Sequence, residues 1–172
     1  MFIHLASLMG IEVIAVVKRD EQVELARSFG AKHVVQTTAV KDVIAAVRAL
    51  TPQGHGADAV VEAVAVPEAW QWAVEMVRKG GAVNFFGGCA AGTKIELDTN
   101  RLHYNNLTLH ASFHHRPSVC RRAFEWIASG RFANEKFITG RAPLENLVPV
   151  LDRLMQRTND IKTAILPGGD IV

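Results

Sequence analysis

The residues with chemistry to offer are few and scattered. Lys18 and Arg19 close an apolar run, Glu12 to Val17 (EVIAVV). A basic pair at the tip of a strand can donate charge-assisted hydrogen bonds to a phosphate. The simpler alternative is two solvated side chains in front of Asp20 as a helix cap. His114-His115 suggests metal chemistry at first sight. Adjacent residues on a strand or loop point apart, however, and no cysteine or carboxylate cluster accompanies them at zinc-ligand spacing. They read as polar loop residues. Cys89, in GGCAAG, has no histidine or carboxylate at a recognisable activating distance in sequence and reads as a passive thiol. Gly87-Gly88 is either a turn or a place where bare backbone can approach a ligand. The other histidines (His4, His33, His55, His103 and His110) are scattered along the chain.

The totals bound what these residues can belong to. The 172 residues are 49% apolar and 21% charged, with a formal net charge of +2. That is enough chain for one domain with a sizeable core, and it carries no general attraction to nucleic acid or anionic membranes. Trp70, Trp72 and Trp126 fall in helical patterns without the interleaved basic residues of a base-stacking surface. No apolar run approaches the ~20 residues that span a bilayer, and the start does not read as a secretory signal. Cys89 and Cys120 lie far apart without CxxC spacing. Free thiols in a reducing cytosol are expected, and with them a cytoplasmic location.

Short β-branched runs alternate with amphipathic helical patterns from end to end. Strands are expected at Glu12 to Val17, His33 to Gln36, Asp58 to Val64, Ala82 to Phe86, Leu107 to Phe113 and Ile161 to Leu166. Between them, Asp20 offers an N-cap and Gly30 a stop for one helix. Val40, Val43, Ile44, Val47 and Leu50 form one apolar helical face. Pro67 can open a helix that carries Trp70, Ala73 and Val77 inward and ends at Gly80-Gly81. Cys120, Ala123, Phe124 and Ile127 mark a further helix, and Leu144 to Met155 another, which Pro149 should kink or delay. The opening stretch, MFIHLASLMG, is helix-like as well. Strands buried on both faces and separated by helices predict βαβ units on a mostly parallel sheet.

Three stretches closely resemble the medium-chain dehydrogenase/reductase family, in its zinc-dependent alcohol, sorbitol and threonine dehydrogenase branch. They are ASLMGIEVIAVVKRDEQVELARSFGAKHVV, GADAVVEAVAVPEAWQWAVEMVRKGGAVNFFGG and HYNNLTLHASFHHRP, followed by the closing IKTAILP. The resemblance implies an α/β fold with a Rossmann-like doubly wound parallel sheet, lacking its first strand and glycine-rich turn. No GxGxxG occurs in the sequence. It also implies one incomplete dinucleotide-binding domain over residues 1–172, without the catalytic domain where the family keeps its zinc.

On that resemblance, the cofactor-binding residues are Lys18, Arg19, Ala63, Val64, Phe86, Gly87, Gly88, Ser112 and Phe113, with no catalytic and no metal-binding residue. An acidic side chain at the end of the second family strand favours NAD. Val17 stands there, followed by the basic pair, so NADP is the expected cofactor, with NAD possible. Zinc is expected only in the missing domain. The implied function is the cofactor-binding portion of an NAD(P)-dependent alcohol or polyol oxidoreductase, inactive as an isolated chain. The alternatives are a non-catalytic nucleotide-binding or dimerisation module, or one half of a split enzyme. The expected partners are the dinucleotide and a second copy, joined through the strand around Leu107 to Phe113. Neither nucleic acid nor membrane is expected as a partner.

Overall fold

Residues 1–156 and 160–168 are described by the structure, a computed structural model. In chain order the elements are α1 (Phe2–Leu8), β1 (Ile14–Val17), α2 (Asp20–Ser28), β2 (His33–Gln36), α3 (Val43–Ala49), β3 (Ala57–Glu62) and α4 (Pro67–Met76). There follow β4 (Val77–Phe85), α5 (Thr99–Tyr104), β5 (Thr108–Ala111), α6 (Pro117–Ala128), β6 (Gly140–Pro143), α7 (Leu147–Met155) and β7 (Thr163–Leu166). All strand pairs are parallel: β1 with β2, β3 with β4 and β4 with β5, β6 with β7. Parallel strands with helices between them make this a Rossmann-like α/β fold.

Local chemistry accounts for most helix ends. The Asp42 carboxylate accepts from the Ala45 N–H at 2.9 Å and caps α3. Asp98 does the same for α5 through the Arg101 N–H at 3.0 Å. Pro67 opens α4, where its missing N–H is not needed. Pro149 delays its helix: α7 begins at Leu147, which puts the proline in the first turn, among N–H groups without intrahelical partners.

The chain forms two compact units, Glu12–Pro117 and Met1–Ile11 with the residues from Ser118 on. The first holds β1 to β5. Its core has two parts. Val35, Val43, Val47 and Met76 gather Ile14, Val16, Val60 and Trp72 around them. Ala73, Val74, Val77, Val83 and Phe85 gather Val60, Trp70, Leu97, Leu107 and Leu109. In the second unit Phe132 and Phe137 stack at 5.1 Å, with the His4 ring edge-on to Phe132 at 5.0 Å. His4 Nε2 accepts from the Ala133 N–H at 3.3 Å, so this histidine serves packing.

Several expectations are corrected. The helix of Trp70 does not run to Gly80-Gly81; it ends at Met76, and Val77 is already extended and starts β4. Val77 pairs with Ala57 and Ala82 with Ala59, so residues 78–81 bulge out opposite Asp58. The glycine pair belongs to that bulge. Gly80 has φ +70°, and a Cβ on Gly81 would lie 2.6 Å from Val77 Cγ2 and 2.8 Å from the Asp58 carbonyl oxygen. Helix α5 and strand β6 were not anticipated. Nor is β3 buried on both faces: Val61 is 44% exposed.

Strands β1 and β3 share part of the core. They pack on the same core cluster, through Ile14 and Val16 on one side and Val60 on the other. Yet β1 pairs with β2 alone and β3 with β4 alone among the described residues. Each keeps one edge of backbone hydrogen-bonding groups without a strand partner there.

Candidate functional site

The tip of β1 is tied down by its surroundings. Gln22 Oε1 accepts from the Lys18 N–H at 3.2 Å and the Arg19 N–H at 3.1 Å. The Lys18 carbonyl accepts from Gln36 Nε2 and Thr38 Oγ1, each at 3.4 Å. Gln36 also donates to Asp20 Oδ1, so Asp20 fastens the loop and does not serve as the N-cap. The fixed backbone presents two cationic side chains to solvent. Arg19 pairs with Glu21 at 3.0 Å. The Lys18 ammonium has no carboxylate partner among the described residues.

Strands β3, β4 and β5 end level with one another: Glu62 lies opposite Phe85, and Phe85 opposite Ala111. The segments that follow them therefore leave one C-terminal edge, where ligands of open parallel sheets bind. Ala63 and Val64 follow β3, with Val64 64% exposed, and Ala65 adopts φ +68°. Phe86, Gly87 and Gly88 follow β4. Phe86 is 57% exposed, and the Phe86 and Gly87 N–H groups both donate to the Glu62 carbonyl at 2.9 Å. Trp70 Nε1 donates to the Gly87 carbonyl at 3.0 Å. Beside it a shallow depression of about 320 Å³ is lined by Trp70, Gly88, Cys89, Ala90, Thr93 and Ile95.

Ser112 and Phe113 lie past the end of β5. Phe113 is 89% exposed, and its ring rests 4.1 Å from that of His114. His114 and His115 are exposed loop residues. Cys89 and Cys120 are both free. Among the described residues no three His, Cys, Asp or Glu side chains converge as a metal site would require. No described helix is long and apolar enough to cross a membrane.

The structure thus brings Ala63, Val64, Phe86, Gly87, Gly88, Ser112 and Phe113 to one sheet edge. Lys18 and Arg19 leave the C-terminal end of the other sheet in the same unit. One residue of this edge escaped sequence reasoning. Glu62 is 4% exposed, the buried charged side chain among the described residues. Its signal was available: a carboxylate inside the apolar run DAVVEAV has to find partners.

Comparison with known proteins agrees with this architecture. Residues 1–129 match the family model for zinc-binding dehydrogenases, and the chain belongs to that family. It is 39% identical over 82 residues to alcohol dehydrogenase 1 of Emericella nidulans, covering 48% of this chain and 23% of that protein. It is 24% identical over 148 residues to sorbitol dehydrogenase of Bacillus subtilis, covering 86% of this chain and 41% of that protein. Among solved structures, a zinc-binding dehydrogenase from Sinorhizobium meliloti 1021 bound to NADP superimposes with a TM-score of 0.86. The two are 26% identical, over 96% of this chain and 48% of the other. The alcohol dehydrogenase TADH from Thermus sp. ATN1 gives a TM-score of 0.85 at 26% identity, over 96% and 46%. The chain spans less than half the length of each of these relatives.

Proposed function

We propose that this chain is the nicotinamide-dinucleotide-binding part of an alcohol or polyol oxidoreductase, with NADP preferred over NAD. One observation carries the reading. Three parallel strands end in register, and the backbone leaving them is small or bare where a ligand would approach, at Ala63, Gly87 and Gly88. A Cβ on Gly87 would come within 2.7 Å of the Ala65 nitrogen, so close packing needs glycine there. The NADP bound to the Sinorhizobium meliloti relative supports the cofactor class. The preference for NADP rests on Lys18 and Arg19, which expose cations after Val17, where a carboxylate would favour NAD.

The dinucleotide, when bound, supplies a nicotinamide that accepts or gives up hydride. The residues of this chain bind and orient it: Lys18 and Arg19 toward a ribose phosphate, Gly87 and Gly88 by letting backbone come close. A titration with NADPH and NADH tests the reading directly. NADPH should bind more tightly, and K18A/R19A should weaken NADPH by about 10-fold with little change for NADH. Tighter NADH binding by the unmodified chain sinks the NADP preference. No response to either dinucleotide sinks the reading as a whole.

A second reading, a dimerisation module, draws support from β5. Its outer edge has no strand partner among the described residues, and an open edge invites pairing with a second copy. Sedimentation of the chain, and of a Leu109→Pro variant that blocks edge pairing, tests it: a monomer in both cases removes it.

A further inference from the structure

Glu62 has more partners than a core residue needs. Its Oε1 accepts from the Val64 N–H at 2.6 Å and the Ala65 N–H at 2.9 Å, reaching forward into its own turn. Its main-chain carbonyl accepts from Phe86 and Gly87, both at 2.9 Å. One residue therefore fastens the segments that follow both β3 and β4. The conformation it holds is not one the chain would choose alone, since Ala65 sits at φ +68°, where a side chain costs about 1 kcal/mol or more. Gly87 closes over the carboxylate: a Cβ there would lie 2.7 Å from Glu62 Oε2. That oxygen is buried and has no hydrogen-bond partner among the described residues. A buried carboxylate kept with one oxygen unsatisfied is costly, so its place in the structure calls for a benefit elsewhere.

We infer that Glu62 is a positioning residue for the ligand-facing edge, its carboxylate holding residues 63–65 in the turn that ends on left-handed Ala65 and over which Gly87 closes. The inference deepens the dinucleotide reading and rests on it for the ligand. The carboxylate touches no reacting atom; it acts through Val64, Ala65 and Gly87. A leucine or alanine at position 62 would preserve or simplify the core but leave two N–H groups and a strained Ala65 without their anchor.

The test separates the clamp from the ligand. Amide hydrogen exchange at Val64 and Ala65 is measured in the full chain and in E62A, E62Q and E62A/A65G, alongside NADPH titrations. E62Q keeps an oxygen acceptor in the same shape and guards against loss of folding in E62A. In E62A, protection of both amides should fall, and NADPH affinity should drop, each by about 10-fold. E62Q should retain most of both. Because glycine adopts positive φ freely, E62A/A65G should recover NADPH affinity without recovering amide protection. Unchanged protection in E62A overturns the clamp. Lost protection with unchanged NADPH affinity overturns the positioning role. If the unmodified chain does not respond to NADPH at all, the dinucleotide reading fails, and the positioning role with it, whatever the exchange rates show.

Discussion

The indole of Trp70 lies flat on the ring of Phe85, with 4.0 Å between centroids and 14° between planes, while its Nε1 donates to the Gly87 carbonyl at 3.0 Å. One side chain of α4 thus packs on the last residue of β4 and holds the loop beyond it. Trp70→Phe keeps the stacking and leaves the Gly87 carbonyl without its donor, a loss of about 1 kcal/mol. Trp70→Ala removes the aromatic body as well and should cost about 3 kcal/mol, the lower part of the range for a partly exposed site. Urea denaturation of the two variants checks the difference. Equal destabilisation would mean that the hydrogen bond contributes everything and the stacking nothing.

Gly87 has no room for a side chain. A methyl group there would meet the Ala65 nitrogen at 2.7 Å and Glu62 Oε2 at 2.7 Å, and the first of these is backbone that cannot rotate away. Gly87→Ala should destabilise by about 1–3 kcal/mol. Gly88→Ala, with open space around its Cβ, should cost less than half as much. Thermal melts of both variants decide it: similar midpoints would contradict the crowding.

Arginines finish the α4 helix, which passes into β4 without a turn. Arg101 donates from Nε to the Val74 carbonyl at 3.2 Å and from Nη2 to the Glu75 carbonyl at 2.9 Å, and Arg48 donates to the same Glu75 carbonyl at 3.1 Å. Carbonyls at a helix end need such donors, and cations suit that end of the helix dipole. Arg101→Met should cost about 1.5–3 kcal/mol, the scale of hydrogen bonds to a charged group. Arg101→Lys should recover only part of that, because an ammonium lacks the planar fork. Full recovery with lysine would show that charge alone matters.

Acid should loosen the start of β1. The Lys32 ammonium, 2.6 Å from Glu12, holds the Glu12 carboxyl below its ordinary range through a direct hydrogen bond, with His33 at 3.5 Å adding to the effect. A carboxyl whose pKa is lowered on folding stabilises above its unfolded value and loses that contribution as pH falls through its folded value. The melting temperature of the unmodified chain should therefore exceed that of Glu12→Gln at neutral pH, and the gap should close below the carboxylate range. Because the pair is exposed, the gap should also shrink in high salt. A gap that widens on acidification would refute the assignment.

Much of this architecture is a local property of the chain. The β-branched runs around Val16, Val35, Val60 and Val83 suit a pleated, partly buried surface, and Asp42, Pro67 and Pro149 mark helix starts by chemistry confined to a few neighbouring residues. Order and spacing sufficed for the parallel α/β class and for the family to which the chain belongs. Lys18, Val64, Gly87 and Phe113 stand in or next to recognisable runs, and the family resemblance is what singles them out.

Tertiary contacts decided the rest. Whether Val77 belongs to a helix or a strand depends on Ala57, twenty residues earlier, which offers it a ladder partner. Strand β6 exists because β7 lies beside it, and GRAP by itself carries no strand signal. Gly87 meets Ala65 and the Glu62 carboxylate, more than twenty residues earlier, because β3 and β4 pair side by side. Propensity acts over a few residues, whereas ladders and close glycine contacts arise only once distant segments meet.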